Sequence, residues 1–232
     1  MLFSRKNLYF PLNPIILANN PISYNYSYKF LGIILDHRLN WKGHLLHVQN
    51  KLSSLCGILY RIRNIISRIT ARTIYLAIGL PYLNHGNIVR GSCHMTFLNS
   101  LLITQKKIVR IIMKKGRREH STPLFAQLKF LKINQIIDIN SAQFVYKSIN
   151  NLIASPINFT PQILGPYNLR REEPLQVPFT RSCQTQRFIH IRGSKLWNEL
   201  PIHIRNARTI NCFKLRLKCH YIESYIPEDN EI

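Results

Sequence analysis

The sequence predicts an α+β fold that is mostly helical, with a short N-terminal β hairpin followed by helices. Two patterns carry this prediction. The first 36 residues consist of short β-prone runs separated by Asn and Pro. From residue 41 onward, apolar residues recur every three or four positions, the period of an amphipathic helix. With 46% hydrophobic residues in a chain of 232, a packed core is expected.

Strands are predicted at Leu2 to Ser4, at Ile15 to Leu17 and at Tyr28 to Leu35. Because Asn and Pro favour turns, residues 19–21 are predicted to join the last two strands into one hairpin. A polar break at residues 36–40 then ends the strand region.

The clearest helix is predicted from Trp41 to Ile66, with Asn40 as its N-cap. Its apolar residues step by three and four and therefore line one stripe, which is expected to face the core. These residues are Leu45, Val48, Leu52, Leu55, Leu59, Ile62 and Ile66.

Further helices are predicted over 71–80, 98–115, 122–131, 134–152, 194–200 and 210–224. Pro81 and Gly116 are expected to end the first two of these, and Thr122 to cap the third. In the fourth, Ile137, Phe144, Val145 and Ile149 are expected to point inward. Five prolines and weak periodicity predict a long connection over 153–187.

The charge distribution favours a polyanionic partner. The net charge is +22, and residues 37–118 hold fifteen Lys or Arg and no Asp or Glu. A like-charged block of this length repels itself unless phosphates or counterions neutralise it. Nucleic acid fits best, with an anionic membrane surface second. A codon bias that enriches Lys is the alternative explanation of this charge, but it accounts less well for the lack of Asp and Glu.

The sequence also bears on redox state, metals and membranes. Five cysteines without paired spacing indicate a reduced, intracellular setting, nuclear or cytoplasmic. No CxxC occurs, so no zinc site is predicted. With no run of eighteen apolar residues and no signal peptide, we expect neither a membrane span nor secretion.

One segment carries a more specific signal. The pattern comprises Phe30, Leu31, Gly32, Asp36, Leu39, Trp41 and His44. In order and spacing, it resembles the segment joining the palm to the thumb in reverse transcriptases of jockey-like non-LTR retrotransposons, the LINE class. The resemblance continues at 118–125 and, most closely, at Gly193 to Pro201. Arg90 departs from it, because the family usually has Trp there, and residues 167–170 are a weakened block.

The resemblance implies three regions. Residues 1–36 would be a palm remnant with the primer-grip hairpin, 37–118 a helical thumb, and 119–232 a helical C-terminal region. The family's paired catalytic carboxylates lie upstream of the matched segment, and this chain has no Asp-Asp. No catalytic residue and no cofactor is therefore assigned here, since Mg²⁺ would belong to the missing palm.

The implied function is to grip an RNA or RNA–DNA template–primer duplex, without polymerase activity by the chain alone. The palm and endonuclease portions of a parent polyprotein are implied partners. Phosphate contacts dominate such binding. The predicted nucleic-acid-binding residues are Phe30, Leu31, Gly32, Lys42, His47, Lys51, Arg61, Arg68, Lys107, Arg110, Lys114 and Arg117.

Two alternatives stay open from the sequence. The chain could be a stand-alone basic RNA-binding protein with no polymerase function. It could also be a fragment related to group II intron maturases, which share a palm and thumb, although the block around Trp197 matches the LINE pattern better.

Overall fold

The structure is a computed structural model that describes residues 15–22, 25–161, 174–183 and 185–225. It begins with two antiparallel hairpins, one of β1 (Ile15–Leu17) and β2 (Asn20–Ile22), the other of β3 (Ser27–Phe30) and β4 (Ile33–Asp36). Helices make up most of the remainder, so the predicted α+β, mostly α class is confirmed. The predicted strand at residues 2–4 and the block at 167–170 lie outside the described residues.

The prediction of a single hairpin is wrong. The predicted strand from Tyr28 to Leu35 instead reverses at Leu31 and Gly32, so that Phe30 pairs with Ile33. Both turn residues have positive φ, 46° and 82°, as tight two-residue hairpin turns require. Gly32 adopts a positive φ without steric cost. A search for apolar runs does not detect this turn signal.

The first long helix, α1 (Lys42–Ile62), follows an unusual entry. The residue before it is Trp41, which is buried and has a φ of 65°. Asn40 is therefore not the N-cap, although its side-chain oxygen accepts a hydrogen bond from the Lys42 N–H at 2.9 Å. The carboxylate of Asp36 holds this entry in place by accepting backbone N–H groups from positions 38, 40 and 41 at 2.9–3.1 Å.

The predicted apolar stripe of α1 is confirmed. Five of its members are buried to 3% exposure or less, and Ile62 and Ile66 pack against them from its end. Opposite α1 lies α5 (Met95–Ile112), whose buried residues complete this core. The α5 residues concerned are Leu98, Leu101, Ile108, Val109 and Ile112.

Between α1 and α5 runs one continuous helical stretch. It consists of α2 (Arg68–Ile74), a π-helical segment (Tyr75–Gly79) and α3 (Leu80–Asn84). Pro81 does not end it, contrary to prediction. The π segment shifts the register, since the Leu80 N–H donates to the carbonyl of Tyr75. Proline then falls in the first turn of α3, where its missing N–H costs no helical bond.

Gly116 does not end α5 either. The helix ends at Ile112, and Lys114 takes the left-handed conformation usual after a helix, with a φ of 53°. The Lys115 N–H then donates to the carbonyl of Arg110 at 2.9 Å. Lys114 therefore lies past the helix and does not continue a basic stripe along it.

The remaining helical segments complete the chain. Ser121, rather than Thr122, precedes the helix that begins at Thr122, and Ile149 is 37% exposed instead of inward-facing. The segments are α4 (Asn87–Arg90), α6 (Thr122–Leu128), α7 (Ile133–Ile149), a 3₁₀ turn (Thr185–Arg187), α8 (Ile189–Glu199), α9 (Ile202–Arg205) and α10 (Ile210–Glu223).

Two apolar clusters form the interior, and α7 contributes to both. The first holds α1, α5 and the start of α7. The second surrounds Trp197, whose ring lies 5.9 Å from that of Phe213, as expected for a core residue. The predicted region boundaries at residues 36 and 118 stay predictions. Every helix in the described ranges is too short or too polar to cross a membrane.

Candidate nucleic-acid interface

A cleft of about 840 Å³ lies between the β3–β4 turn, one flank of α1 and the end of α3. Three predicted residues, Gly32, His47 and Lys51, come together in it. No carboxylate is among the described residues that line it. The lining comprises Lys29, Gly32, His44, His47, Val48, Lys51, Pro81, Tyr82, Asn84, His85 and Gly86.

The hairpin turn is attached to the helices by one side-chain hydrogen bond. Nε2 of His85 lies 2.9 Å from the carbonyl oxygen of Leu31, and since that oxygen can only accept, Nε2 carries the proton. A Cβ on Gly32 would lie 3.2 Å from the same Nε2. The absence of a side chain at Gly32 therefore allows the turn to sit against the imidazole.

His44 forms part of the cleft wall and is 2% exposed. Its Nδ1 accepts a hydrogen bond from the backbone N–H of Ile34 at 3.4 Å. Burial, reinforced by the nearby positive charge of Arg90 and of two histidines, lowers the pKa of His44 to about 4. The ring is therefore neutral at pH 7, and its Nε2–H has no hydrogen-bond partner in the part of the chain that the structure describes.

Arg90 supports the cleft from below. It is 1% exposed, and its Nη2 donates to the carbonyls of Tyr82, at 3.1 Å, and Leu83. These carbonyls belong to the last turn of α3, so the guanidinium group fixes the helix end that carries His85. Burial lowers the pKa of Arg90 to about 10, and the group stays charged at pH 7.

The predicted residues of α1 do not share one face. Lys42 and Lys51 are nine positions apart, which is about two and a half helical turns, so they point to opposite sides. His47 and Lys51, four positions apart, line the cleft together. Arg61 is exposed near the end of the helix, outside the cleft.

A second group of cations lies where α1 ends, α2 begins and α5 ends. Arg68 and Lys114, both predicted, line a small depression there together with Arg63. The guanidinium carbon of Arg63 lies 4.1 Å from the ring centroid of Tyr60, a cation–π contact that orients it. This group, Arg63, Arg68 and Lys114, is called the basic corner below.

Other predicted cations have partners that the sequence did not reveal. Arg110 donates from Nε to the backbone carbonyl of Glu119 at 2.8 Å, and Lys115 forms an exposed ion pair with the Glu119 carboxylate at 3.2 Å. Arg110 therefore has a neutral backbone partner, and the exposed ion pair is made by Lys115, which was not among the predicted residues. Lys107 and Arg117 are exposed.

Phe30 and Leu31 project from the hairpin turn into solvent, with 57% and 77% of their surfaces exposed. They lie next to the cleft in the chain but are not among its lining residues. As exposed apolar groups, they are suited to contact bases or another protein surface.

Sequence reasoning missed Lys29, His85 and Arg63. Lys29 directly precedes Phe30, which was among the predicted residues. Because side chains alternate along a strand, this position was a signal that the sequence offered. His85 lies 54 residues from its partner Leu31, and no local pattern could have linked them. Arg63 directly follows α1, and its contact with Tyr60 is the usual i, i+3 spacing of a helix end.

Two described carboxylates, Asp36 and Asp138, have structural roles that leave them unsuited to hold a pair of metal ions. Asp36 accepts three backbone N–H groups, and Asp138 pairs with Arg192 at 2.5 Å. Among the described residues, no group of three His, Cys, Asp or Glu side chains is placed to bind a metal. The acidic pairs at 172–173 and 228–229 lie outside the described residues.

Comparison with known proteins identifies one similar transposon protein. The chain is 24% identical over 178 residues to the probable RNA-directed DNA polymerase from transposon X-element of Drosophila melanogaster. The alignment covers 75% of this chain and 19% of that protein, so the chain spans about a fifth of its relative's length. No protein-family profile matches the chain, and no solved structure does.

This similarity supports a relation to a region of a transposon-encoded reverse transcriptase, the class that the motif from Phe30 to His44 indicates. The same motif residues now have structural explanations. Asp36 orders the entry to α1, Trp41 is buried at that entry, and His44 closes the wall of the cleft.

Proposed function

We propose that this chain is the part of a LINE-type RNA-directed DNA polymerase that grips the template–primer duplex. The single observation that carries the proposal is the cleft. There a hairpin turn and two helices bring Lys29, His47, Lys51 and His85 together with no lining carboxylate among the described residues. Cationic and imidazole N–H donors in such a setting are suited to bind phosphate oxygens.

Charge extends this surface beyond the cleft. The basic corner adds three cations at the other end of α1. Lys51 in the cleft and Arg63 in the basic corner are twelve residues apart, about 18 Å along α1 at 1.5 Å per residue, so the two sites can contact phosphates well separated along one duplex. Backbone contacts of this kind position a duplex without reading its sequence. Little sequence preference is therefore expected.

We further propose that the chain alone does not polymerise nucleotides. The carboxylates that would hold two metal ions belong to a palm segment of the parent polyprotein. The hairpins would pack against that palm, which accounts for their uncovered apolar residues such as Ile16 and Leu17, exposed by 66% and 68%. The same polyprotein would supply the endonuclease, and the complex would act inside the cell.

Fluorescence anisotropy with a labelled RNA–DNA duplex tests the grip. Lys51→Gln removes a cation from the cleft, and Lys218→Gln removes an exposed cation from α10 as the matched control. At about 0.1 M salt, one lost phosphate contact weakens binding roughly five- to ten-fold. This loss is expected for Lys51→Gln, and less than two-fold for Lys218→Gln.

Equal losses for the two variants would contradict the grip, because binding would then reflect net charge alone. Tight, sequence-selective binding to one RNA would favour a stand-alone RNA-binding protein instead.

A further inference from the structure

The cleft has features that a duplex grip does not require. Its volume of about 840 Å³ lies within the roughly 300–1,000 Å³ typical of sites that enclose small molecules. A paired strand keeps its bases inside the duplex and needs only an open basic surface. A cavity of this size can instead enclose a nucleotide that has left the base stack.

The lining chemistry is divided between an ionic and an apolar part. Lys29, Lys51 and the imidazole of His47 offer N–H donors for a phosphate. Tyr82 and Pro81, at the start of α3, offer flat apolar surface, and the Tyr82 side chain is partly exposed. Bases stack on aromatic rings with little dependence on their identity.

The wall also holds an unsatisfied donor. His44 is buried and neutral, its Nδ1 is occupied by the Ile34 N–H, and its Nε2–H lacks a partner among the described residues. A buried donor left without an acceptor is costly. Because this Nε2 is shielded from solvent, an acceptor on a bound group could reach it only if the side chains around it moved.

We propose that this cleft binds a single unpaired nucleotide of a nucleic-acid strand, with its phosphate against Lys29, Lys51 and His47 and its base against Tyr82. The proposal rests on the duplex grip described above and makes it more specific. An unpaired end or a flipped nucleotide would be recognised in preference to a fully paired strand.

The test uses the full chain and labelled RNA–DNA duplexes that differ only at one end. These are a blunt duplex, duplexes with one unpaired 3′ or 5′ nucleotide, and a duplex whose unpaired residue lacks its base. Anisotropy gives the ratio of blunt to overhang Kd for each. We expect a ratio of about five or more for at least one overhang, and a ratio near one for the residue without a base.

Substitutions at Tyr82 locate the effect. Tyr82→Leu should bring the ratio to about one, and Tyr82→Phe should restore it. Phe179→Leu removes an exposed aromatic ring outside the cleft and the basic corner and should keep the wild-type ratio. Thermal melting followed by circular dichroism confirms that each variant is folded.

The outcomes separate this proposal from the duplex grip. A wild-type ratio of one with tight binding to both duplexes overturns the nucleotide site and leaves the grip standing. A high ratio that survives Tyr82→Leu, or that the residue without a base reproduces, also overturns it. Failure to bind any duplex overturns the proposed function itself.

Discussion

His85 Nε2 donates a hydrogen bond of 2.9 Å to the carbonyl oxygen of Leu31, 54 residues earlier in the chain. This bond joins the β3–β4 turn to the end of α3 and so forms the mouth of the cleft. His85→Ala should release the turn, and hydrogen exchange of the β3 and β4 amides should accelerate as their local stability falls by about 1 kcal/mol. His120→Ala, at an exposed histidine outside the cleft, should leave those amides unchanged. Equal exchange in both variants would show that the bond does not hold the turn.

Two glycines should respond in opposite directions to alanine. Gly32 has a φ of 82° and faces His85, so Gly32→Ala should lower the free energy of unfolding by about 1–2 kcal/mol. Gly57 lies within α1 with open space where a Cβ would stand, so Gly57→Ala should raise it by about 0.5–1 kcal/mol. Urea unfolding at a constant m-value measures both changes. The same sign for both would contradict the conformation described for one of the two sites.

The carboxylate of Asp36 should matter more than its half-buried position suggests. Asp36→Ala removes the acceptor for three backbone N–H groups at the entry to α1 and should cost about 2–3 kcal/mol of unfolding free energy. Asp36→Asn keeps one acceptor oxygen and should cost less. Glu119→Gln breaks only the exposed ion pair with Lys115, so a loss below about 1 kcal/mol is expected. Chemical denaturation ranks the three, and a larger loss for Glu119→Gln would contradict the role given to Asp36.

His44 should make the free energy of unfolding depend on pH below neutrality. Its pKa in the folded chain, about 4, lies below the ordinary 6.5, so the unfolded chain takes up the proton first as pH falls. The contribution of neutral His44 to the free energy of unfolding is fully present above about pH 6.5. It is lost as the pH falls towards 4, by no more than about 3 kcal/mol. His44→Asn keeps an acceptor for the Ile34 N–H but cannot titrate, so its unfolding free energy should fall less between pH 7 and 4. His120→Asn is the control, and identical curves for wild type and His44→Asn would exclude this role.

Local periodicity predicted the helices well because burial of one face is what selects them. The stripe of α1 and the buried residues of α5 followed directly from spacing. Chain reversals were harder. A run as apolar as Phe30 to Leu35 gives no sign that it folds back at Gly32, and the π segment that accommodates Pro81 depends on tertiary packing.

The candidate site was likewise predicted only in part. Gly32, His47 and Lys51 were predicted from the sequence, and the structure brings them into one cleft. Lys42 was predicted to bind nucleic acid together with them, but helical geometry places it on the opposite side of α1 from Lys51. His85 shapes the cleft through a contact between distant elements, and Arg90 through hydrogen bonds to buried carbonyls. Composition and spacing do not encode either contact.

The most direct test of the central claim is the salt dependence of binding to a blunt RNA–DNA duplex, measured between about 50 and 200 mM monovalent salt. Each phosphate contact releases condensed counterions, so about eight contacts should give a slope of log affinity against log salt near roughly −6 to −7. Lys51→Gln should reduce the magnitude of that slope by about one contact, roughly 0.9. A slope near zero would contradict the account, because binding would then not depend on phosphate.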